Sequence, residues 1–217
     1  MLKKLRKKLY QSDSIINREK FLNTAVLIPL YLKNSEYYLL FEKRSSKISQ
    51  PGEICFPGGK FDPAKDKNPC ETAIRETIEE LGICRNQINS AGKLGTLITR
   101  MGAAVDVFIA ELNIESADTL KINKKEVEKL ISVPVKYFLE NNPLEYPLRV
   151  EVHPYYFEES GKKIITFPSE ELGLPGKYHN PWIVKNERTL VYKFENTVIW
   201  GITAELIFAF IKLFGEC

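Results

Sequence analysis

Arg75, Glu76, Glu79 and Glu80 are the residues whose types and spacing point to chemistry. On a helix that turns about 100° per residue, with Glu76 as origin, Glu80 lies near about +40° and Glu79 near about −60°. Three carboxylates then share an arc of about 100°, with Arg75 at its border. Like charges at these spacings cost roughly 0.2–0.5 kcal/mol per pair. They also fall in the C-terminal half of the helix, where its dipole disfavours anions. A divalent cation reverses the sign of both effects. Mg²⁺ or Mn²⁺ takes oxygen ligands and bridges to phosphate oxygens. A solvated acidic helix face would carry the same residues, so the cluster alone does not decide. Upstream, Phe56-Pro57-Gly58-Gly59 places two glycines before the loop that enters this helix. Glycine permits close backbone approach, and its N–H can face a phosphate oxygen. The two features together indicate a phosphate-and-metal site.

The elements that must position these groups are legible locally. Asn68 is an N-cap, Pro69 takes the first helical position, Glu71 the third, and Gly82 is a C-terminal stop, so the helix spans Pro69–Leu81. Thr24–Leu32 and Glu36–Glu42 are β-prone runs joined at Asn34-Ser35, which predicts a hairpin. Ile54–Phe56 reads as a short strand ending in a glycine turn. Gly92–Ile98 and Ala104–Leu112 read as strands, and Lys124–Ile131 as a short helix. Candidate strands follow at Arg149–Phe157, Lys163–Phe167, Leu190–Phe194 and Thr197–Trp200, with a turn at Glu195-Asn196 and a closing helix at Thr203–Phe214. Residues 2–21 read as a polar helix. The irregular alternation implies an α+β (mixed α/β) class with helices on both sides of a sheet.

From Gly59 to Gly82 the chain resembles the Nudix box, whose pattern is Gly, five residues, Glu, seven residues, then Arg-Glu-x-x-Glu-Glu-x-Gly. Arg75, Glu76, Glu79, Glu80 and Gly82 match its closing half in full. The spacing from Gly59 to Arg75 is two residues longer than the pattern. The early Glu is absent: Lys65 or Lys67 stands there, with Asp62 or Asp66 as substitutes, and Thr77 replaces an aliphatic residue. The resemblance implies the Nudix fold, a mixed sheet between helices. It implies that Glu76, Glu79 and Glu80 hold Mg²⁺ or Mn²⁺, that Arg75 orients a glutamate, and that Glu76, Glu79 and Arg75 serve catalysis. Asp106, Glu151, Glu170 and Glu171 are unranked candidates for a base outside the box.

Further residues are similar to the coenzyme A pyrophosphatase subgroup. These are Leu39-Leu40, Arg44-Ser45, Gly52 and Phe56–Gly59, then Glu126-Val127, Val133-Pro134-Val135 and Ile199–Ala204. The resemblance implies hydrolysis of coenzyme A or acyl-CoA to adenosine 3′,5′-bisphosphate and 4′-phosphopantetheine. Arg44, Ser45, Gly58 and Gly59 would then meet the substrate. The alternatives are an ADP-ribose or nucleotide-sugar pyrophosphatase and a non-catalytic nucleotide-binding regulator. Homodimers are common in the family, and a homodimer is an expectation here.

Composition narrows the classes. With 217 residues, 44% of them hydrophobic, residues 1–217 are expected to form one Nudix domain, with a basic N-terminal helix over 1–21 and an extended insertion over 140–190. Lys3, Lys4, Arg6, Lys7 and Lys8 exceed the net charge of +3, so the remainder is slightly acidic. That argues against a general nucleic-acid binder, and the small-molecule nucleotide substrate is what the resemblance implies. Cys55, Cys70, Cys84 and Cys217 form no CxxC pair, and His153 and His179 are remote from them in sequence, so zinc is not expected. No apolar run reaches the ~18 residues of a membrane span. A soluble, cytoplasmic protein is the expectation.

Overall fold

The apolar run at Thr24–Leu32 becomes the middle of β1 (Leu22–Lys33), which has neighbours on both edges and cover on both faces. The computed structural model describes residues 15–215. Asn34 and Ser35 take positive φ values of 52° and 65°, as a two-residue hairpin turn requires, and return the chain into β2 (Glu36–Arg44). Beyond that hairpin, β1 pairs antiparallel with β4 (Gly58–Lys60) and parallel with β6 (Ala103–Leu112). β6 pairs with β5 (Ile88–Ile98). β2 also carries β3 (Ile54–Cys55) and β7 (Val127–Pro134). These seven strands form one mixed sheet.

Alternation along β1 and β2 divides the core between the two faces of the sheet. Ala25, Leu27, Tyr31 and Leu40 pack under α1 (Pro69–Leu81), through Ala73, Ile74 and Leu81. Ile28, Leu30, Leu39 and Phe41 point the other way. They meet Val135 and Phe138 of α2 (Val135–Glu140) and Ala204, Leu206, Ile207 and Phe210 of α3 (Gly201–Gly215). Leu190 and Tyr192 of β11 (Trp182–Phe194) and Ile199 of β12 (Thr197–Trp200) complete that side. The class is α+β, with helices on both faces. Burying a leucine or isoleucine of this kind contributes roughly 1.5–3 kcal/mol, so the sheet holds both layers firmly.

Several expectations need correction. Lys124–Ile131 is not a helix. From Val127 on it is β7, paired with β2 from Arg44↔Val127 to Tyr38↔Pro134, and the helix begins only at Val135. An open sheet edge outweighs the local helix propensity of a Lys/Glu run. The Gly58-Gly59 turn is the start of β4, with Val26↔Gly58 and Ala25↔Gly59 as partners. In the expected helix over 1–21, residues 15–21 hold only a single 3₁₀ turn at Arg18–Lys20, after Asn17 at φ 57°. Residues 1–14, with the five basic side chains, lie outside the described residues. In the 140–190 stretch, β8 (Leu144–Val152) pairs with β11, and β9 (Tyr155–Phe157) with β10 (Lys163–Ile165). The strand expected over Arg149–Phe157 is thus divided between β8 and β9. Among the described residues no helix is long and apolar enough to cross a membrane.

Candidate active site

α1 begins and ends where its caps dictate. Asn68 accepts a hydrogen bond from the Glu71 N–H at 3.1 Å, and Gly82 closes the helix at φ 66°. These ends fix which residues face the sheet. Glu80 is 6% exposed and turned inward, and its Oε2 accepts from the Gly58 N–H at 3.0 Å. The glycines make this approach possible. A Cβ at Gly58 would lie 2.4 Å from the Ala25 carbonyl oxygen, and one at Gly59 would lie 2.4 Å from Glu76 Oε1. The sequence therefore brings Gly58, Gly59, Glu76 and Glu80 together at the seam between β4 and α1.

Arg75 organises the other side of the cluster. Its Nε and Nη2 donate to the two carboxylate oxygens of Asp66 at 2.8 and 3.0 Å. Its Nη1 lies 2.8 Å from Glu76 Oε1 and 3.4 Å from Glu79 Oε2. Asp66 is buried and also accepts from the Thr72 hydroxyl and the Asp62 N–H. Of the two acids proposed to replace the missing Glu of the box, Asp66 is the one that holds Arg75. Arg75 keeps the Asp66 carboxyl well below the usual carboxylate range. Glu79 projects outward, its side chain 53% exposed.

The inner carboxylates behave differently. Burial pushes Glu80 up to about 8, helped by Glu76 and Glu126 and opposed by the Gly58 N–H. Burial also raises Glu76, against the pull of Arg75. Glu42 of β2 is 2% exposed, and burial, with Glu80 next, drives it well above the ordinary carboxylate value. Glu42 was not among the residues expected from sequence. The available signal was a charged residue directly after Leu39-Leu40-Phe41, in a strand covered on both faces. Glu126 belongs to the same electrostatic group. Cys55, pushed up to about 12 by burial and then by Glu42, is an inert thiol beside it.

Two observations test whether this set suits a divalent cation. The donors are all carboxylate oxygens, the type Mg²⁺ and Mn²⁺ take. In addition, Glu42 Oε1 is buried with no hydrogen-bond partner among the described residues. The set is thus short of positive charge, and its chemistry fits. Among the described residues no three acidic, histidine or cysteine side chains converge, as they stand, around a single ion position. Glu79 in particular lies toward Arg75 rather than toward Glu80.

An open cleft of about 410 Å³ adjoins the cluster, lined by Lys60, Phe61, Asp62, Pro63, Lys65, Arg75 and Glu76. Lys60 and Lys65 add positive charge there; Lys60 was not named from the sequence, and Lys65 only as an occupant of the missing Glu's place. Arg44 is half-buried and donates to the Ser49 carbonyl and hydroxyl at 2.9 and 3.3 Å. Its charge still offsets those of Glu42 and Glu80. The Ser45 hydroxyl is buried and donates to the Lys125 carbonyl at 2.7 Å, tying the loop after β2 to the segment before β7. Asp106 is fully buried and occupied by Lys93, Thr96 and Arg18, a structural knot. Glu151 of β8 pairs with Arg149 and lies 3.3 Å from His153 just past the strand, while Glu170 and Glu171 are exposed between β10 and β11.

Comparison with known proteins adds an independent observation. The model of the NUDIX domain family matches residues 22–155. A peroxisomal coenzyme A diphosphatase of Mus musculus is 36% identical over 118 residues, 53% of this chain and 48% of that protein. A mitochondrial coenzyme A diphosphatase of Homo sapiens is 32% identical over 126 residues, 57% of this chain and 53% of that protein. A peroxisomal coenzyme A diphosphatase of Caenorhabditis elegans is 33% identical over 161 residues, 71% of this chain and 68% of that protein. The chain spans about half the length of the first two relatives.

Proposed function

The chain belongs to the NUDIX domain family, and on that premise we propose that it is a pyrophosphohydrolase acting on coenzyme A or its thioesters. The products would be adenosine 3′,5′-bisphosphate and a 4′-phosphopantetheine. The observation that carries the chemistry is the buried carboxylate set closed beneath the Gly58–Gly59 backbone, with Glu80 Oε2 3.0 Å from the Gly58 N–H. The three relatives described as coenzyme A diphosphatases support the substrate.

Glu76, Glu79 and Glu80 would hold Mg²⁺ or Mn²⁺, with Glu79 turning inward from its present position. A cation there offsets charge on the diphosphate oxygens and makes water more acidic. The protein's own groups do the rest. Arg75, anchored on Asp66, fixes the Glu76 carboxylate. The Gly58–Gly59 strand admits the diphosphate close to the main chain. Lys60 and Lys65 border the cleft, and Arg44 and Ser45 shape the loop beside it. Water attacks one phosphorus of the P–O–P bridge, a carboxylate takes its proton, and the bridging P–O bond breaks. The departing phosphate leaves with the electron pair.

One domain over 1–217 and a homodimer belong to the same proposal. The cytoplasmic placement rests on sequence alone, since the relatives are described as peroxisomal or mitochondrial. Incubation with coenzyme A and Mn²⁺, followed by chromatography, tests the function. Adenosine 3′,5′-bisphosphate is the expected product. Its absence, with ADP-ribose cleaved instead, would replace the substrate but keep the chemistry.

A further inference from the structure

Glu42 stands where the strand pattern calls for an apolar side chain. Along β2, Leu39 and Phe41 pack toward α3, while Leu40 packs toward α1. Alternation puts Glu42 in the Leu40 row, on the face that α1 covers. Leu39, Leu40 and Phe41 are fully buried and Glu42 is 2% exposed, so water does not compensate its carboxylate. Its Oε1 has no hydrogen-bond partner among the described residues. The ionisable groups around it include Glu80, Glu126 and Glu76, acids like itself that resist a further negative charge there. Arg44 opposes them, with its Nε and Nη2 donating to Ser49 rather than to Glu42. A leucine in this place would avoid the desolvation and the repulsion. A carboxylate here is best explained by a positive partner between the sheet and α1.

We propose that Glu42 is a further ligand of the divalent cation, reaching it from the floor of the sheet while Glu76 and Glu80 reach it from α1, the three side chains drawing together from their present positions as the ion binds. This rests on the reading of the α1 cluster as a cation site. It adds a ligand that lies on a strand outside the Gly59–Gly82 segment. Coordination of this kind also accounts for the buried Glu42 oxygen that has no hydrogen-bond partner among the described residues.

The test titrates Mn²⁺ into metal-free wild type, Glu42→Gln and Glu42→Leu, following free Mn²⁺ by electron paramagnetic resonance, with melting in EDTA measured alongside. Both variants are expected to bind Mn²⁺ at least about tenfold more weakly, the low end of what disturbing a metal site costs. In EDTA both should melt at or above the wild-type temperature, because an unpartnered buried carboxylate has gone. Mn²⁺ affinity equal to wild type in either folded variant would overturn the assignment. So would melting below wild type in EDTA for both variants, which would make Glu42 a structural residue. Wild type that takes up no Mn²⁺ would instead overturn the cation site itself, and this assignment with it.

Discussion

Asp66→Asn is the perturbation that separates the geometry found here from the Nudix pattern read in the sequence. Asp66 is buried and receives two guanidinium N–H bonds, one hydroxyl bond and one backbone N–H bond. The amide keeps one carbonyl oxygen but sets an N–H₂ group against these donors. Breaking a buried ion pair on one side costs about 3–5 kcal/mol. Arg75 is 21% exposed and keeps Glu76 at 2.8 Å, which lowers the figure to about 3 kcal/mol. For a protein of this size that is a drop of about 6–12 °C in melting temperature. The pH dependence has a definite sign. The folded-state value of Asp66 is depressed, so its stabilisation is present above the unfolded value and is lost as pH falls through the folded one. The gap between wild type and variant should therefore be full at pH 7 and narrow on acidification below about pH 4. Calorimetric melts of both proteins across that range check it. A shift under about 2 °C at pH 7, or a gap that widens with acid, would refute the reasoning.

Cation uptake at pH 7 should release protons, because burial pushes Glu80 up to about 8 and holds Glu42 well above the ordinary carboxylate value in the metal-free protein. Mn²⁺ titrations in two buffers of different ionisation enthalpy measure it, and buffer-independent heats would contradict it. The same raised value means that metal-free stability declines as pH rises from the ordinary carboxylate range through about 8, which urea melts in EDTA would show. Gly58→Ala drives a Cβ to 2.4 Å from the Ala25 carbonyl and 2.7 Å from Val26 Cα, so a loss of about 2–3 kcal/mol is expected. Gly59→Ala meets first the Glu76 side chain, whose far end can move. It should melt close to wild type yet turn over coenzyme A at least about 100-fold more slowly, the scale of losing one electrostatic contact in a site. Glu79→Gln should abolish turnover while leaving the melting temperature within about 1 °C, as its exposed side chain implies. Unchanged turnover would remove it from the site.

How much was legible follows the range of the forces involved. α1 was readable to the residue because Asn68, Pro69 and Gly82 act within one turn of themselves, and the helical spacing then placed Glu76 and Glu80 on related faces. The β1–β2 hairpin was equally local, set by Asn34 and Ser35. The error at Lys124–Ile131 arose because its lysines and glutamates favour a helix in isolation, whereas the free edge of β2 is remote in sequence. β4 was hidden for the same reason: Gly58 and Gly59 have no strand propensity, and only β1 makes them a strand. Asp62 and Asp66 stood equally for the missing Glu of the box, and only the loop conformation shows that Asp66 is the one that holds Arg75. Glu42 looked like an ordinary strand residue, and only burial on both sides of β2 shows that its charge must be answered.

Crystals of the protein soaked with MnCl₂ and coenzyme A, measured at the manganese edge, examine the site most directly. An anomalous peak is expected within ligand distance, about 2–2.5 Å, of Glu76 and Glu80 oxygens, between α1 and the Gly58–Gly59 strand and beside the diphosphate. Coenzyme A bound with no manganese there, or manganese held elsewhere, would contradict the account.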